Sequence, residues 1–164
     1  MDAKARAARI KLVVFDVDGV FTDGSLYYGA GGEELKVFNV QDGQGVKRLL
    51  RAGVAAAVIS GRASDAVTRR MQDLGITHVF QGDEDKFPIL EKLLKKLGIG
   101  LEQTAHVGDD LPDLPLIKQV GLGVAVANAM PAVKQAAHHV TTAHGGRGAV
   151  REVCDLILEA QGKA

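Results

Sequence analysis

Short apolar runs alternate with helical patterns along most of this chain, and that alternation restricts its possible folds more than any other feature. Six runs have the length of buried strands: Lys11–Phe15, Val54–Ile59, His78–Phe80, Ala105–Val107, Gly123–Val126 and His139–Thr141. Amphipathic spacing predicts helices over residues 44–51, 64–74, 87–97, 113–120, 131–137 and 149–159. This order of elements predicts an α/β fold, in which a mostly parallel sheet carries helices on both faces.

Composition narrows the possible partners. The 164 residues predict one domain spanning 1–164. Lys plus Arg and Asp plus Glu both number 20, and this balance argues against binding to nucleic acid or to a membrane surface through bulk charge. No apolar run reaches the roughly 20 residues of a membrane span, and the polar start argues against a signal peptide. The single cysteine, Cys154, suits a reducing compartment, so we expect a cytoplasmic protein.

One region interrupts the alternation. Residues 26–28 and 34–38 are strand-like and flank the small residues Gly29–Gly32, which predicts a β-hairpin inserted after the first strand at about 25–40. Ligands of open α/β sheets lie beyond the carboxyl ends of the strands. A hairpin leaving from that edge would overhang the site or contact another subunit. A solvated surface loop is the alternative.

Polar clusters follow several of the predicted strands. Asp16 and Asp18 follow the first, and residues i and i+2 of an extended chain point to the same side. Such a pair suits a nucleophile and an acid–base group beside a hard metal ion. Ser60 follows the second strand, where its hydroxyl suits a phosphate oxygen or, alternatively, a helix cap. Lys86 begins a predicted helix, and for a single lysine a solvated side chain is the alternative.

The last cluster is acidic. Asp109 and Asp110 follow the fourth predicted strand, and Asp113 lies one turn further on. Carboxylates are preferred ligands of Mg²⁺, whereas helix capping is the alternative for Asp110 and Asp113. All these clusters lie at the carboxyl ends of predicted parallel strands, where one crevice can collect them. The order acid pair, hydroxyl, lysine, acid pair therefore predicts a shared phosphate and magnesium site.

These motifs resemble the haloacid dehalogenase superfamily of phosphatases. The matching stretches include Asp16–Val20, Gly32–Val40, Ser60–Arg62, Lys86, Val107–Asp110 and Gly145–Val150. The hairpin and the glycine-rich stretch narrow the resemblance to the branch that hydrolyses 3-deoxy-D-manno-octulosonate 8-phosphate, a sugar acid of lipopolysaccharide biosynthesis. The resemblance implies a Rossmann-like three-layer sandwich without a large cap domain.

The resemblance also implies chemical roles. Asp16 would attack phosphorus and form an aspartyl-phosphate, and Asp18 would act as general acid and then as general base. Ser60 and Lys86 would bind the phosphate group. The implied ligands of Mg²⁺ are the carboxylates of Asp16 and Asp109 and the backbone carbonyl of Asp18, with Asp110 and Asp113 in supporting positions.

Substrate contacts and assembly are implied in the same way. Besides Asp18 and Lys86, the residues expected to contact the phosphorylated sugar acid are Asn39, Val40, Gln41, Asp42, Gly43, Lys47, Arg62 and Arg70. Cations suit its carboxylate and phosphate, although Lys47 and Arg70 fall on predicted helices where solvated charges are common. The resemblance further implies a homotetramer whose hairpins meet through the apolar residues Tyr27, Leu35, Val37 and Phe38.

Other activities stay open at this level. A sialic-acid-type 9-phosphate would require the same chemistry with a longer sugar. A receiver-like regulatory domain would also use an acid cluster, a hydroxyl and a lysine, but an acid at Asp18 favours turnover. The histidines lack metal-ligand spacing, and His78 and His106 in predicted strands are expected to be structural. Cys154 lies on the apolar stripe of the last helix and is expected in the core.

Overall fold

A parallel sheet of six strands forms the middle layer of the structure. We describe a computed structural model covering residues 1–164. Its strands are β1 (Leu12–Phe15), β2 (Tyr27–Tyr28), β3 (Glu34–Leu35), β4 (Ala55–Ser60), β5 (His78–Gln81), β6 (Thr104–Gly108), β7 (Leu122–Ala125) and β8 (His139–Val140). The parallel sheet has the order β5-β4-β1-β6-β7-β8, and β2 pairs with β3 alone. The carboxyl ends of β4, β1 and β6 are therefore neighbours.

Helices cover both faces of this sheet, as predicted. They are α1 (Ala3–Ala7), α2 (Val40–Arg51), α3 (Asp65–Leu74), α4 (Lys86–Leu97), α5 (Leu114–Ile117), α6 (Pro131–Ala136) and α7 (Ala149–Ala160), with 3₁₀ turns at Leu101–Gln103 and Leu111–Asp113. None of them combines the length and the apolar character that crossing a bilayer requires. The three-layer α/β prediction is confirmed.

The central strand β1 divides its side chains between two cores. Val13 and Phe15 belong to the larger core, which α2, α3 and α7 cover. Leu12 and Val14 belong to the smaller core, which α4 covers on the opposite face. Because both faces of the sheet are buried, the strand reads as a continuous apolar run instead of an alternating one.

Two helices differ from their predicted bounds. Helix α2 begins at Val40 and not near residue 44, because the Asn39 side chain accepts hydrogen bonds from the backbone of Gln41 and Asp42 and starts the helix earlier. The helix predicted over 113–120 is a 3₁₀ turn followed by one short helix that ends at Ile117. The short helix α1 was not predicted.

The hairpin is present but its ladder is short. Only Tyr27 with Leu35 and Tyr28 with Glu34 pair across it. The chain leaves the ladder after Leu35, and the next side chain, Lys36, donates a hydrogen bond to the Asp18 carboxylate. No larger insertion forms a cap above the sheet.

Candidate active site

The predicted polar clusters meet in one crevice at the carboxyl edge of the sheet. The crevice has a volume of about 290 Å³. Its lining is polar and consists of Asp16, Asp18, Gly24, Ser60, Gly61, Arg62, Glu84, Lys86, Asp109, Asp110 and Pro112. Strands β1, β4 and β6 each contribute residues at or just beyond their ends, and the first residue of α4 contributes Lys86. The adjacency of these strand ends explains why clusters far apart in sequence share one space.

An acidic group forms the floor of the crevice. Ligand oxygens of Asp16, Asp109 and Asp113 lie within 4.8 Å of one another. Burial, reinforced by the negative charge of Asp113, raises the pKa of Asp16 well above its usual value. Burial likewise raises the pKa of Asp109 to about 6, with further contributions from Asp113 and Asp110. Two carboxylates are thus held together at a free-energy cost that a cation would relieve.

The third acid, Asp113, is already satisfied by protein donors. Its Oδ1 accepts a hydrogen bond from Lys86 Nζ at 2.8 Å and lies 2.8 Å from His106 Nε2. Its Oδ2 accepts hydrogen bonds from the backbone N–H groups of Asp109 and Asp110. Although burial alone would raise it, the contacts with His106 and Lys86 hold the pKa of Asp113 well below its usual value. Asp113 is therefore suited to organise the loop around a metal ion.

The remaining donor set fits a magnesium ion. Asp16 and Asp109 present carboxylate oxygens whose raised pKa values reflect burial and repulsion, which is the setting in which a hard divalent cation binds oxygen ligands. Gly19 has a positive φ of 87°, and a Cβ at that position would collide with the Asp109 carboxylate. The loop after β1 can therefore approach Asp109 closely only with glycine at position 19.

Lys86 and Ser60 are buried components of the crevice, not solvated surface groups. The Lys86 ammonium lies 3.2 Å from Asp16 Oδ1 and 2.8 Å from Asp113 Oδ1. Burial opposes its charge, but these two carboxylates outweigh burial and raise the pKa of Lys86. Ser60 ends β4 and is also buried, whereas Ser64 occupies the cap position of α3. Lys86 is therefore not a solvated surface lysine, and Ser60 is not the cap of α3.

Two charged residues of the hairpin, which the sequence analysis did not assign to the site, contact Asp18 and Arg62 in the outer wall of the crevice. Lys36 Nζ lies 2.6 Å from Asp18 Oδ1 and 3.1 Å from Glu34 Oε1. Glu34 Oε1 also accepts a hydrogen bond from Arg62 at 2.9 Å. Glu34 and Lys36 are residues i and i+2 of a strand-like segment, and this spacing was the available signal that both point to one side.

Most of the expected substrate contacts lie outside the crevice of this chain. Only Asp18, Arg62 and Lys86 line it, whereas seven others do not: Asn39, Val40, Gln41, Asp42, Gly43, Lys47 and Arg70. Asn39 caps α2, and Asp42 is buried and accepts a hydrogen bond from the backbone of Arg151. Arg70 packs near Gly43, with its guanidinium carbon 6.0 Å from the ring centroid of Phe38.

Comparison with known proteins assigns the family. The sequence pattern of the haloacid dehalogenase-like hydrolases matches residues 72–153. The chain is 51% identical over 162 residues to 3-deoxy-D-manno-octulosonate 8-phosphate phosphatase KdsC of Escherichia coli K12, covering 99% of this chain and 86% of that protein. This chain belongs to the haloacid dehalogenase-like hydrolases. Membership of a hydrolase family favours the enzyme over the receiver-like alternative.

Solved structures of this family share the whole fold. The crystal structure of 3-deoxy-D-manno-octulosonate 8-phosphate phosphatase from Yersinia pestis has a TM-score of 0.97 at 52% identity, covering 99% of this chain and 88% of that one. The phosphatase of the same name from Moraxella catarrhalis, in complex with magnesium, phosphate and KDO, has a TM-score of 0.96 at 46% identity, covering 98% and 92%.

Proposed function

We propose that this hydrolase removes phosphate from 3-deoxy-D-manno-octulosonate 8-phosphate in a magnesium-dependent reaction that supplies lipopolysaccharide biosynthesis. One observation carries the proposal: the crevice places Asp16, Asp18, Ser60 and Lys86 together in a chain that is half identical, over nearly its full length, to phosphatases named for that substrate. The similar Moraxella catarrhalis phosphatase was solved in complex with magnesium, phosphate and KDO.

In the first step, a carboxylate oxygen of Asp16 attacks phosphorus and the bond from phosphorus to the sugar oxygen breaks. Asp18 gives its proton to the departing sugar oxygen. Lys86, in contact with Asp16, places a positive charge beside the attacking group, and the Ser60 hydroxyl donates to a phosphate oxygen. Bound by Asp16, Asp109 and the Asp18 backbone carbonyl, Mg²⁺ would offset the negative charge of the carboxylates and the phosphoryl group.

In the second step, water attacks the phosphorus of the aspartyl-phosphate. Asp18, now ionised, accepts a proton from this water, and the bond from phosphorus to the Asp16 oxygen breaks. Inorganic phosphate leaves, Asp16 returns as a carboxylate and Asp18 is protonated again. One carboxyl group therefore serves as acid and then as base, which requires its position two residues after the nucleophile to be held through both steps.

We further propose a homotetramer that forms through the hairpin. Apolar side chains are exposed there in the single chain: Leu26, Tyr27, Tyr28, Leu35, Val37 and Val40. Contiguous exposed apolar surface of this kind is typical of an interface. We propose that residues Asn39–Gly43 contact the sugar bound by a neighbouring copy; in support of this, they follow the hairpin directly and do not line the crevice of their own chain. The same prediction holds for Lys47 and Arg70.

We also propose a cytoplasmic location. Cys154 is a free, buried cysteine, and burial raises the pKa of its thiol well above the usual value. A cysteine without a disulfide partner suits a reducing compartment.

Phosphate release from 3-deoxy-D-manno-octulosonate 8-phosphate tests the proposed function. The assay compares that substrate with a sialic-acid-type 9-phosphate and with p-nitrophenyl phosphate, each with Mg²⁺ and with a chelator. We expect the highest kcat/KM on the eight-carbon substrate and loss of activity with the chelator. Preference for the nine-carbon substrate would overturn the sugar assignment, and full activity under chelation would overturn the metal assignment.

A further inference from the structure

We propose that Lys36 is a positioning residue for Asp18, delivered by the hairpin of the same chain. In this arrangement the Lys36 ammonium binds one oxygen of the Asp18 carboxyl group and leaves the other oxygen directed to the crevice for proton transfer. The inference deepens the proposed function and rests on it, because it concerns the group to which that function assigns the acid–base steps.

The position of the Lys36 side chain supports this role. Its relative exposure is 0%, against 21% for Asp18 and 18% for Glu34. Lys36 does not line the crevice, whereas Asp18 does. A substrate in the crevice therefore contacts Asp18 and not the ammonium, so Lys36 can act only through its carboxylate partner.

The two carboxylate oxygens of Asp18 have different contacts. Oδ1 lies 2.6 Å from Lys36 Nζ, a short charge-assisted contact. Oδ2 lies 3.7 Å, beyond hydrogen-bond distance, from Nε of Arg62, a residue that lines the crevice. With Oδ1 held, the proton passes to and from Oδ2.

Glu34 holds the ammonium in place from the other side. Glu34 Oε1 contacts Lys36 at 3.1 Å and Arg62 at 2.9 Å. An ammonium taken out of water is costly unless carboxylates pair with it, and here two carboxylates do so. The ladder pairs β3 only with β2, whereas the contact of Lys36 with Asp18 joins the hairpin to the loop after β1.

If Lys36 positions Asp18, the loss of activity on replacing Lys36 should depend on the leaving group of the substrate. A sugar alkoxide is a poor leaving group and needs the proton from Asp18, whereas p-nitrophenolate leaves without one. General acid catalysis contributes roughly 10²–10⁴-fold, so a misplaced acid loses part of that factor only where a proton is required. A residue that bound the phosphate group itself would affect both kinds of substrate equally.

The experiment compares Lys36→Met with the wild-type protein on 3-deoxy-D-manno-octulosonate 8-phosphate and on p-nitrophenyl phosphate. The parameter is kcat/KM, because it reports the steps through departure of the leaving group and excludes the shared hydrolysis of the aspartyl-phosphate. We expect a loss of about 10–100-fold on the sugar phosphate and below about 3-fold on the aryl phosphate. Asp18→Asn should show the same selectivity with a larger loss, and Lys36→Arg should restore most of the sugar-phosphate activity.

Two controls separate positioning from folding. Lys92→Met removes an exposed lysine of α4 and should leave both activities unchanged. Lys36→Gln keeps a hydrogen-bonding group in the buried position, and circular dichroism with thermal unfolding identifies any variant that is not folded. If Lys36→Met does not fold, Lys36→Gln provides the same comparison.

Equal losses of Lys36→Met or Lys36→Gln on both substrates, or no loss on either, would overturn the inference. The proposed function is judged from the wild-type protein alone, by whether it hydrolyses the eight-carbon sugar phosphate. If it does not, the Lys36 comparison is made on another alkyl phosphate that the wild type accepts. The two failures are therefore distinguishable.

Discussion

The inner floor and the outer wall of the crevice are both networks of carboxylates and cations, but they are built differently. The floor joins Asp16, Asp113 and Lys86, which are buried and lie at strand ends or at a helix start. The wall joins Asp18 to Lys36 and Arg62 to Glu34, and both partners belong to the hairpin, whose two strands pair only with each other. The floor depends on the central sheet, whereas the wall depends on an insertion.

This difference separates the groups proposed to carry out the reaction from the groups proposed to affect its selectivity and the assembly of the protein. The groups proposed to take part in the attack on phosphorus lie in the floor, at or near the ends of β1 and β6 and at the start of α4. The hairpin carries a contact to Asp18 and also exposed apolar side chains, so one insertion would serve both the proposed acid–base group and the proposed subunit interface. Changes in the floor should abolish the reaction, and changes in the wall should alter its selectivity or assembly.

The largest effect is expected at the floor. Asp16→Asn should reduce phosphate release by on the order of 10⁵-fold, the scale seen when an enzyme loses its nucleophile. The temperature of thermal unfolding should not fall, because the substitution removes a buried carboxyl group whose charged form is already disfavoured. Burial raises the pKa of that group. Activity near that of the wild type in a folded Asp16→Asn protein would show that the floor does not carry the nucleophile.

Lys86→Met tests the ion pairs of the floor. The variant leaves Asp16 and Asp113 without their cation, and breaking a buried pair costs about 3–5 kcal/mol. We expect a decrease of about 3 kcal/mol in the free energy of unfolding, because Met fills the space and Asp16 can take up a proton. Urea unfolding at neutral pH measures it, and an unchanged free energy would mean that the pairs do not stabilise the fold.

Substitutions in the hairpin should change the assembly of the protein more than the folding of the single chain. Leu35→Glu with Val37→Glu places charge on side chains that are exposed in the single chain, so the chain should stay folded while the proposed tetramer dissociates. Sedimentation velocity measures the change. Val140→Glu, on the edge strand β8, is the matched control and should sediment as the wild type does. If the hairpin double variant sediments as a tetramer, the interface lies elsewhere.

The smallest effect is expected at a surface ion pair outside both networks. Arg48 on α2 contacts Asp155 on α7 at 2.8 Å, with both side chains about one-third exposed. Arg48→Ala should lower the free energy of unfolding by less than about 1 kcal/mol, and by less still at high salt. Urea unfolding at two salt concentrations provides the measurement. A loss as large as that of Lys86→Met would contradict the distinction between buried and surface pairs.

Local sequence was sufficient to predict the strands and most of the floor. Buried parallel strands leave continuous apolar runs, and the polar residues that follow them, such as Asp16, Ser60 and Asp109, fall at one edge by topology. The start of α2 was predicted four residues late because the cap, Asn39, precedes residues that carry no helical apolar periodicity.

Tertiary packing alone decided which charges meet. In the folded sheet, with the strand order β5-β4-β1-β6-β7-β8, the side chains of His106 and Lys86 both contact Asp113. The spacing of residues along the chain does not predict these contacts. The approach of Lys36 to Asp18 depends on how the hairpin folds back over the loop after β1.

The sequence by itself determined the α/β class, the hairpin and the set of reactive side chains, because these follow from hydrophobic spacing and from chemical type along the chain. Only the tertiary structure determined that Lys36 contacts Asp18, that Glu34 contacts Arg62, and that Asn39–Gly43 lie outside their own crevice. The physical reason is that burial and ion pairing depend on distances between residues remote in sequence, which exist only after the sheet and its insertion have packed.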